Sequence, residues 1–449
     1  MAGGALMQLV AYGAQDVYLS GNPSITFFQA VYKKHTNFAM ETIEQTVNGT
    51  VSNNGHCSVT VGRNGDLVGE MFLELTPKVD LSNLSTNVSE SYEWLAERAI
   101  TDIDLSIGGQ RVDRHYQKWW RLYSELFMDE NKRNQYGKMT STLGFTTAAG
   151  GRRVYLPLLF FFNRNPGLYL PLIALQYHEV KVDINLSSTF DSYLTAMTMW
   201  ANYVFLDSDE RKRFAQTGHE YLIEQVQHTG QDIVTAGGDK QVRLTYNHPV
   251  KELVWCFSST ALGTHNDLWD TTTPQGSCNM TVSPFPTSNA ISGDLTLVNP
   301  AFVSIPFDPH LPVAPHLNVK TLGSDIQFGS GFWVEEGTSV SNVSVGPMEQ
   351  FKLILNGQDR FHAQEGKYFN QVQPHCHHSG NPYPGIYSYS FALKPEDHQP
   401  TGTCNFSRID NSVGWFRMKA GAQTSLNMFA VNYNVLRVQS GMGGLAFSN

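Results

Sequence analysis

The feature that most constrains this chain is an internal repeat. Ile43-Glu44-Gln45 recurs as Ile223-Glu224-Gln225, and the stretch Leu105-Ser106-Ile107-Gly108-Gly109-Gln110 recurs as Leu353-Ile354-Leu355-Asn356-Gly357-Gln358. The first pair lies 180 positions apart and the second 248. Landmarks repeated in the same order imply two copies of one folding unit. The second copy then holds about 70 additional residues between its landmarks. They fall in 258–345, rich in Thr, Ser, Asn, Gly and Pro, the composition of a long surface loop.

The unit itself reads as β. Ile103, Leu105 and Ile107 alternate with Asp102, Asp104 and Ser106. Val180, Val182, Ile184 and Leu186 alternate with Lys181, Asp183 and Asn185, and Tyr387, Tyr389, Phe391 and Leu393 behave alike. Met71, Leu73 and Leu75 repeat the pattern more weakly. Period two marks strands with one face on a core and one in water. Ile25–Phe28, after the Gly21-Asn22-Pro23 turn, reads as the entry to a first strand. Residues 115–130 differ: Trp119, Leu122, Tyr123, Leu126 and Phe127 follow helical spacing, so an amphipathic helix with a core-facing aromatic seam is expected. Val154 to Leu175 is almost continuously apolar. It reads as two strands around an Asn163–Gly167 turn, buried on both faces by a helix or a second subunit. The charged, apolar-poor segment 207–218 is the expected boundary. The sequence thus predicts an arm (1–24), a first β domain (25–206), a linker (207–218) and a second β domain (219–449).

Charge and cysteine usage narrow the function. Only 16% of residues are charged, and the net charge is −9. A low charge fraction suits a surface hidden against neighbours, and a negative balance argues against direct nucleic-acid binding through phosphates. The short basic clusters, Lys33-Lys34, Lys118 to Arg121 and Arg211-Lys212-Arg213, read as solvated faces or contacts with acidic neighbours. Five widely spaced cysteines without C-x-x-C form no disulfide framework, as in a reducing compartment. The longest apolar run, near Leu156 to Phe162, is far short of the ~20 residues of a membrane helix. With no basic n-region at its start, the chain is expected to be soluble and not secreted by that route.

No catalytic constellation emerges. His375-Cys376-His377-His378 offers zinc-type ligands, but no carboxylate follows at cupin spacing, so a polar exposed loop is expected there. His178-Glu179 and His219-Glu220 begin like H-E-x-x-H and lack the second imidazole. Phosphate-binding Gly-rich loops and G-x-S-x-G are missing. Asp102 and Asp104 read as solvent-side charges. No cofactor and no metal are expected. Asn-x-Ser/Thr occurs at Asn48, Asn83, Asn87, Asn185, Asn279, Asn342 and Asn405, and the acceptor reading is weak in a cytosolic chain. A lectin-like protein using Trp269 and Phe285, or a cupin-type metalloenzyme using His375 and His377, are the rivals to a structural protein.

Several long segments resemble the major capsid proteins of the large icosahedral DNA viruses, algal-virus members above all. They are Gly13–Pro23 with Ile25–Phe28 and Lys34–Ala39, then Gly108–Trp120 and Leu156–Val182. Phe205–Gln216 with His219–Gln225 and Asn247–Trp255 follow. The resemblance recurs at 353–370 and near Asn432, and 258–345 departs most. It implies an all-β fold of two tandem eight-stranded antiparallel jelly rolls with long inserted loops and a few short helices. It implies homotrimers with six rolls in a ring, a capsomer that tiles an icosahedral virion shell beside neighbouring capsomers and minor capsid proteins. An internal membrane lies beneath, and assembly takes place in the host cytoplasm. It also makes an exposed loop residue such as Asn279 a candidate glycan acceptor.

Overall fold

A computed structural model describes residues 3–23, 33–77, 95–140, 153–234, 237–259, 280–282, 303–305, 326–328, 332–334, 347–380, 382, 385–419 and 424–447. Ile25–Phe28, the proposed first-strand entry, lies outside them. The chain divides into two compact units, Met1–Phe38 and Ala39–Asn449. In the first, helix Gly3–Val10 and the short helix Asp16–Ser20 are joined by a turn in which Asp16 Oδ2 accepts the Gly13 amide at 2.7 Å. Leu6, Leu9, Tyr18 and Leu19 are all more than 60% exposed.

The second unit carries the repeat as folded structure. One sheet runs Phe38–Gln45, Leu194–Leu206, Leu67–Pro77, Val154–Pro157, and its counterpart runs His219–Val234, Thr424–Gln439, Pro249–Ser259, Ile386–Ser390. The sheet facing the first orders His56–Thr60, Val180–Leu186, Ile100–Ile107, Gln110–Tyr116. Its counterpart orders Asp239–Arg243, Ser412–Met418, Met348–Leu355, Gln358–Asp359. Strand order is therefore the same in the two halves, and these strands pair antiparallel. The second repeated landmark is a hairpin turn in both copies. Gly108 and Gly109 have φ of +58° and +81°, and Asn356 and Gly357 have +49° and +81°. Two successive positive φ values match the right-handed strand twist and select Gly or Asn.

Alternation becomes layering. Met71, Leu73, Leu75, Met199, Ala201 and Tyr203 point inward to the first core, with Ile103, Leu105, Val182 and Ile184 opposite. Leu253, Trp255, Phe257, Phe351, Phe416, Met428 and Ala430 fill the second. Helix Gln117–Leu126 forms where its spacing predicts, and Trp119, Trp120, Leu122 and Leu126 are buried.

Some expectations fail for physical reasons. Val154 to Leu175 is buried but is not a two-strand hairpin. Val154–Pro157 and Leu170–Pro171 are short strands around helix Phe161–Arg164 and a 3₁₀ turn at Pro166–Leu168. Prolines at 157, 166 and 171 lack the amide a longer ladder needs. Asp102 is not a solvent-side charge: it is 7% exposed, accepts from Arg114 at 2.9 Å and from the Asn185 amide at 2.7 Å, while Arg114 also holds Asp104 at 3.2 Å. Lys118 and Arg121 are buried rather than solvated, because their helix lies against both rolls. The alternation at Tyr387 ends with the strand at Ser390, and Leu393 is exposed. The expected boundary 207–218 contains helix Ser208–Gln216, capped by the Asp207 carboxylate, which leaves the expectation as it stood.

Candidate assembly interface

The two rolls meet through one face of the second. On strands Pro249–Ser259 and Thr424–Gln439, the residues facing away from the second core are Val254, Cys256, Phe429 and Val431. They are 2% exposed or less and belong to the first roll's apolar cluster. The first roll covers them with strand Gln110–Tyr116 and the helix that follows it. Trp119 packs on Phe429 at 5.7 Å between ring centres, Tyr116 meets His228 edge-on at 4.7 Å, and His228 stacks on Phe429 at 4.5 Å. Burial of aromatic surface on this scale dominates an interface.

Polar bonds fix its register. Asp113 accepts the Val226 amide at 3.0 Å, and the Gln225 side-chain amide donates to the Val112 carbonyl. The Gly380 amide reaches the Leu126 carbonyl at 2.9 Å, and Leu445 donates to Gln110 at 3.3 Å. At the centre lies a buried charge cluster. Arg164, from the first roll, bonds Glu224 at 2.9 Å, and Lys251 bonds the same carboxylate at 2.7 Å and the Pro395 carbonyl at 2.6 Å. Burial pushes the Glu224 carboxyl up, but Arg164 and Lys251 together outweigh it and hold it below its ordinary value. Burial likewise lowers Lys118 on the helix, and burial beside Lys118 pushes His228 down to about 4.

The sequence-predicted candidates are placed as follows. His375, Cys376 and His377 lie on helix Gln373–His377, not on a polar loop, and the His378 side chain is fully buried. It lies between Glu252 at 3.3 Å and Glu396 at 3.5 Å, with Phe127 of the first roll at 5.0 Å. No group of three or more ligating side chains suited to a metal ion occurs among the described residues. His178 Nδ1 lies 2.8 Å from the Gly443 carbonyl, and His219 Nε2 lies 2.8 Å from that of Phe214. Asn279, Trp269 and Phe285 lie outside the described residues. Sequence reasoning passed over Arg164 as a turn residue and Lys251 altogether. A signal was present: Val254-Trp255-Cys256-Phe257 is continuously apolar, the mark of a strand covered on both sides.

Two equivalent sandwiches locked face to flank define a protein of the double jelly-roll class. The comparisons agree. The model of the large eukaryotic DNA virus major capsid protein matches residues 210–444, and that of the major capsid protein N-terminus matches 26–207. The chain is 40% identical to the major capsid protein of Paramecium bursaria Chlorella virus 1 and 39% identical to that of Phaeocystis pouchetii virus, each over the whole of both chains. A chain of the PBCV-1 capsid, solved as a quasi-atomic model, superposes with a TM-score of 0.72 at 36% identity, covering 94% of this chain and all of that one. The Faustovirus major capsid protein shares the fold, with a TM-score of 0.63 at 12% identity. The chain belongs to the major capsid proteins of large eukaryotic DNA viruses. It is a structural protein of the virion capsid and not an enzyme.

Proposed function

We propose that three copies of this chain form a capsomer with six rolls in a ring, and that these blocks tile an icosahedral shell. The observation that carries this reading is the buried junction. A ring built from paired rolls closes only if each pair is held at one angle, and the Arg164–Glu224 bond between the rolls supports that reading. The arm (1–24), first roll (25–206), connector (207–218) and second roll (219–449) are its parts. Neighbouring capsomers and minor capsid proteins are its partners, above an internal membrane, with no direct nucleic-acid contact and assembly in the host cytoplasm. The arm, uncharged apart from Asp16 and with Leu6, Leu9 and Leu19 exposed, suits a link between capsomers, since it occurs once per chain and has no counterpart in the second roll.

Light scattering on the purified chain tests the trimer. A particle of three times 50.1 kDa, hexagonal in negative stain, is expected, and a monomer at micromolar concentration overturns the reading. Deleting residues 2–22 is expected to leave trimers intact and impair shell assembly. Loss of the trimer itself would refute the role given to the arm.

A further inference from the structure

The junction of the rolls holds a second set of buried charges, apart from Arg164, Glu224 and Lys251. After helix Gln373–His377, the segment His378-Ser379-Gly380 of the second roll closes over the end of the first roll's helix Gln117–Leu126. The Gly380 amide donates to the Leu126 carbonyl at 2.9 Å, and the Ser379 hydroxyl lies 3.2 Å from the Phe127 carbonyl. A helix end leaves such carbonyls without an intrahelical partner. A Cβ on Gly380 would collide with the Glu125 and Leu126 carbonyls, so the segment lies directly on the helix end. From behind, Glu396 accepts the Ser379 amide at 2.7 Å.

His378 ties these parts together. Its Nε2 lies 3.3 Å from Glu252 and its Nδ1 3.5 Å from Glu396, so each ring nitrogen faces a carboxylate. A neutral imidazole has one N–H and one lone pair; only the imidazolium presents a proton to both acids. Glu252 is fully buried and accepts no hydrogen bond among the described residues, and Lys251 beside it is already bound to Glu224. Burial pushes the Glu252 carboxyl up, against the pull of His378 and Lys251. Burial acts on Glu396 as well, but the bonds from His378 and Ser379 outweigh it and hold that carboxyl low. The surrounding charges are answered elsewhere. Glu125 on the helix is held by Arg121 and Arg133, and Lys394 and Asp397 on the loop of Glu396 are exposed. His377 turns to the Leu393 carbonyl at 3.1 Å, and burial keeps the Tyr433 phenol neutral.

We propose that His378-Ser379-Gly380 is a proton-dependent clasp between the two rolls, closed while the imidazole carries its second proton and opened when that proton leaves. Deprotonation leaves two carboxylates facing one neutral ring, one of them across a lone pair. Buried like charges that lose their shared cation repel each other and draw in water. Loss of a cation beside a helix C-terminus acts in the same direction. Glu252 adds the same sign. Its raised carboxyl binds a proton more tightly in the folded chain, so its contribution is present at low pH and is lost as pH rises through the raised value. The clasp thus opens on alkalinisation, opposite to Glu224 and His228, which weaken on acidification. It lies within one chain and holds whether or not three copies assemble.

Hydrogen exchange of the full-length protein, read by mass spectrometry on a peptide containing Gly380 and corrected for the intrinsic rate, tests the clasp. From about pH 6.5 to about pH 9, across which an imidazole gives up its proton, protection at Gly380 should fall by about ten-fold or more. Strand Pro249–Ser259 should change by no more than about two-fold. Glu252→Gln removes the charge, and its amide can donate to a neutral ring nitrogen, so Gly380 in that variant should change by less than about three-fold. Wild-type protection that is flat or rises with pH overturns the proposal. So does a fall shared by strand Pro249–Ser259, or one that persists in full in Glu252→Gln. Should Glu252→Gln fail to fold, Glu396→Gln decides, since that side chain is 29% exposed: its fall should be clearly smaller than wild type's, and an unchanged fall overturns the clasp.

Discussion

Arg164→Met asks whether the junction charges hold the rolls together. Methionine keeps much of the volume and removes the guanidinium. The Glu224 side chain is 6% exposed and would keep Lys251 at 2.7 Å and His398 at 4.0 Å. Breaking a fully buried pair costs about 3–5 kcal/mol. Arg164 is 24% exposed and Lys251 remains, so we expect a loss of about 2–3 kcal/mol. The loss falls between the rolls, because Arg164 belongs to one and Glu224 to the other. Urea unfolding followed by tryptophan fluorescence should show a lower midpoint and a transition that broadens or splits as the rolls uncouple. A double-mutant cycle with Glu224→Gln should give a coupling of at least ~1 kcal/mol. The sign with pH is fixed. Glu224 titrates below its ordinary value in the folded chain, so its contribution is complete above the usual carboxylate range and is lost as pH falls through the lowered value. The Arg164→Met deficit should shrink on acidification. A variant within about 0.5 kcal/mol of wild type, with no coupling, would refute the reasoning and class the pair with surface ion pairs.

Other outcomes follow from the same contacts. His228 is held at about 4 against an ordinary 6.5, so its stabilisation is present above pH 6.5 and is lost as pH falls toward 4. The ring is only partly buried, so we expect about 1–2 kcal/mol over that window, and His228→Phe should flatten the melting curve's dependence on pH there. An unchanged slope would count against it. Gly108 and Gly357 both have positive φ, but a Cβ on Gly108 would collide with the His178 ring, while nothing lies within 4 Å of one on Gly357. Gly357→Ala should cost about 1 kcal/mol, the backbone strain alone, and Gly108→Ala at least about twice that; equal thermal shifts would contradict the packing.

How much of this was legible depended on whether a residue's partner lay near it in the sequence. The duplicated landmarks are local hairpin and strand motifs, and both copies fold as equivalent strands and turns. The helix at Gln117–Leu126 is a local pattern as well, and its seam faces a core as its spacing implies. What stayed hidden needed a partner from afar. Lys118 looks like a surface charge until strands some hundred positions later cover its helix. Asp102 looks solvent-facing until Arg114 and Asn185 close over it. His378 lacks a carboxylate in its own segment and finds Glu252 across the sheet and Glu396 beyond it. Prolines 157, 166 and 171 remove the amides a hairpin needs, and the apolar continuity of the run masks their effect.

The same asymmetry explains why a costly charge cluster sits at the junction of the rolls. The junction already buries Trp119, Phe429, Val254 and Val431, and apolar contact is strong but tolerant of sliding. Of these charges only Arg164–Glu224 crosses the junction, and that bond forms in one alignment, so it contributes direction more than energy. Replacing a buried ion set with apolar residues of similar volume is often neutral or stabilising by about 1–4 kcal/mol. We therefore expect the triple variant Arg164→Met, Glu224→Leu, Lys251→Met to melt no lower than wild type yet to hold its rolls at less uniform angles. Negative-stain class averages should then show open or irregular rings beside hexagonal ones. Uniform rings from the triple variant would mean that aromatic packing alone sets the angle, and the cluster would lose its role in closing the capsomer.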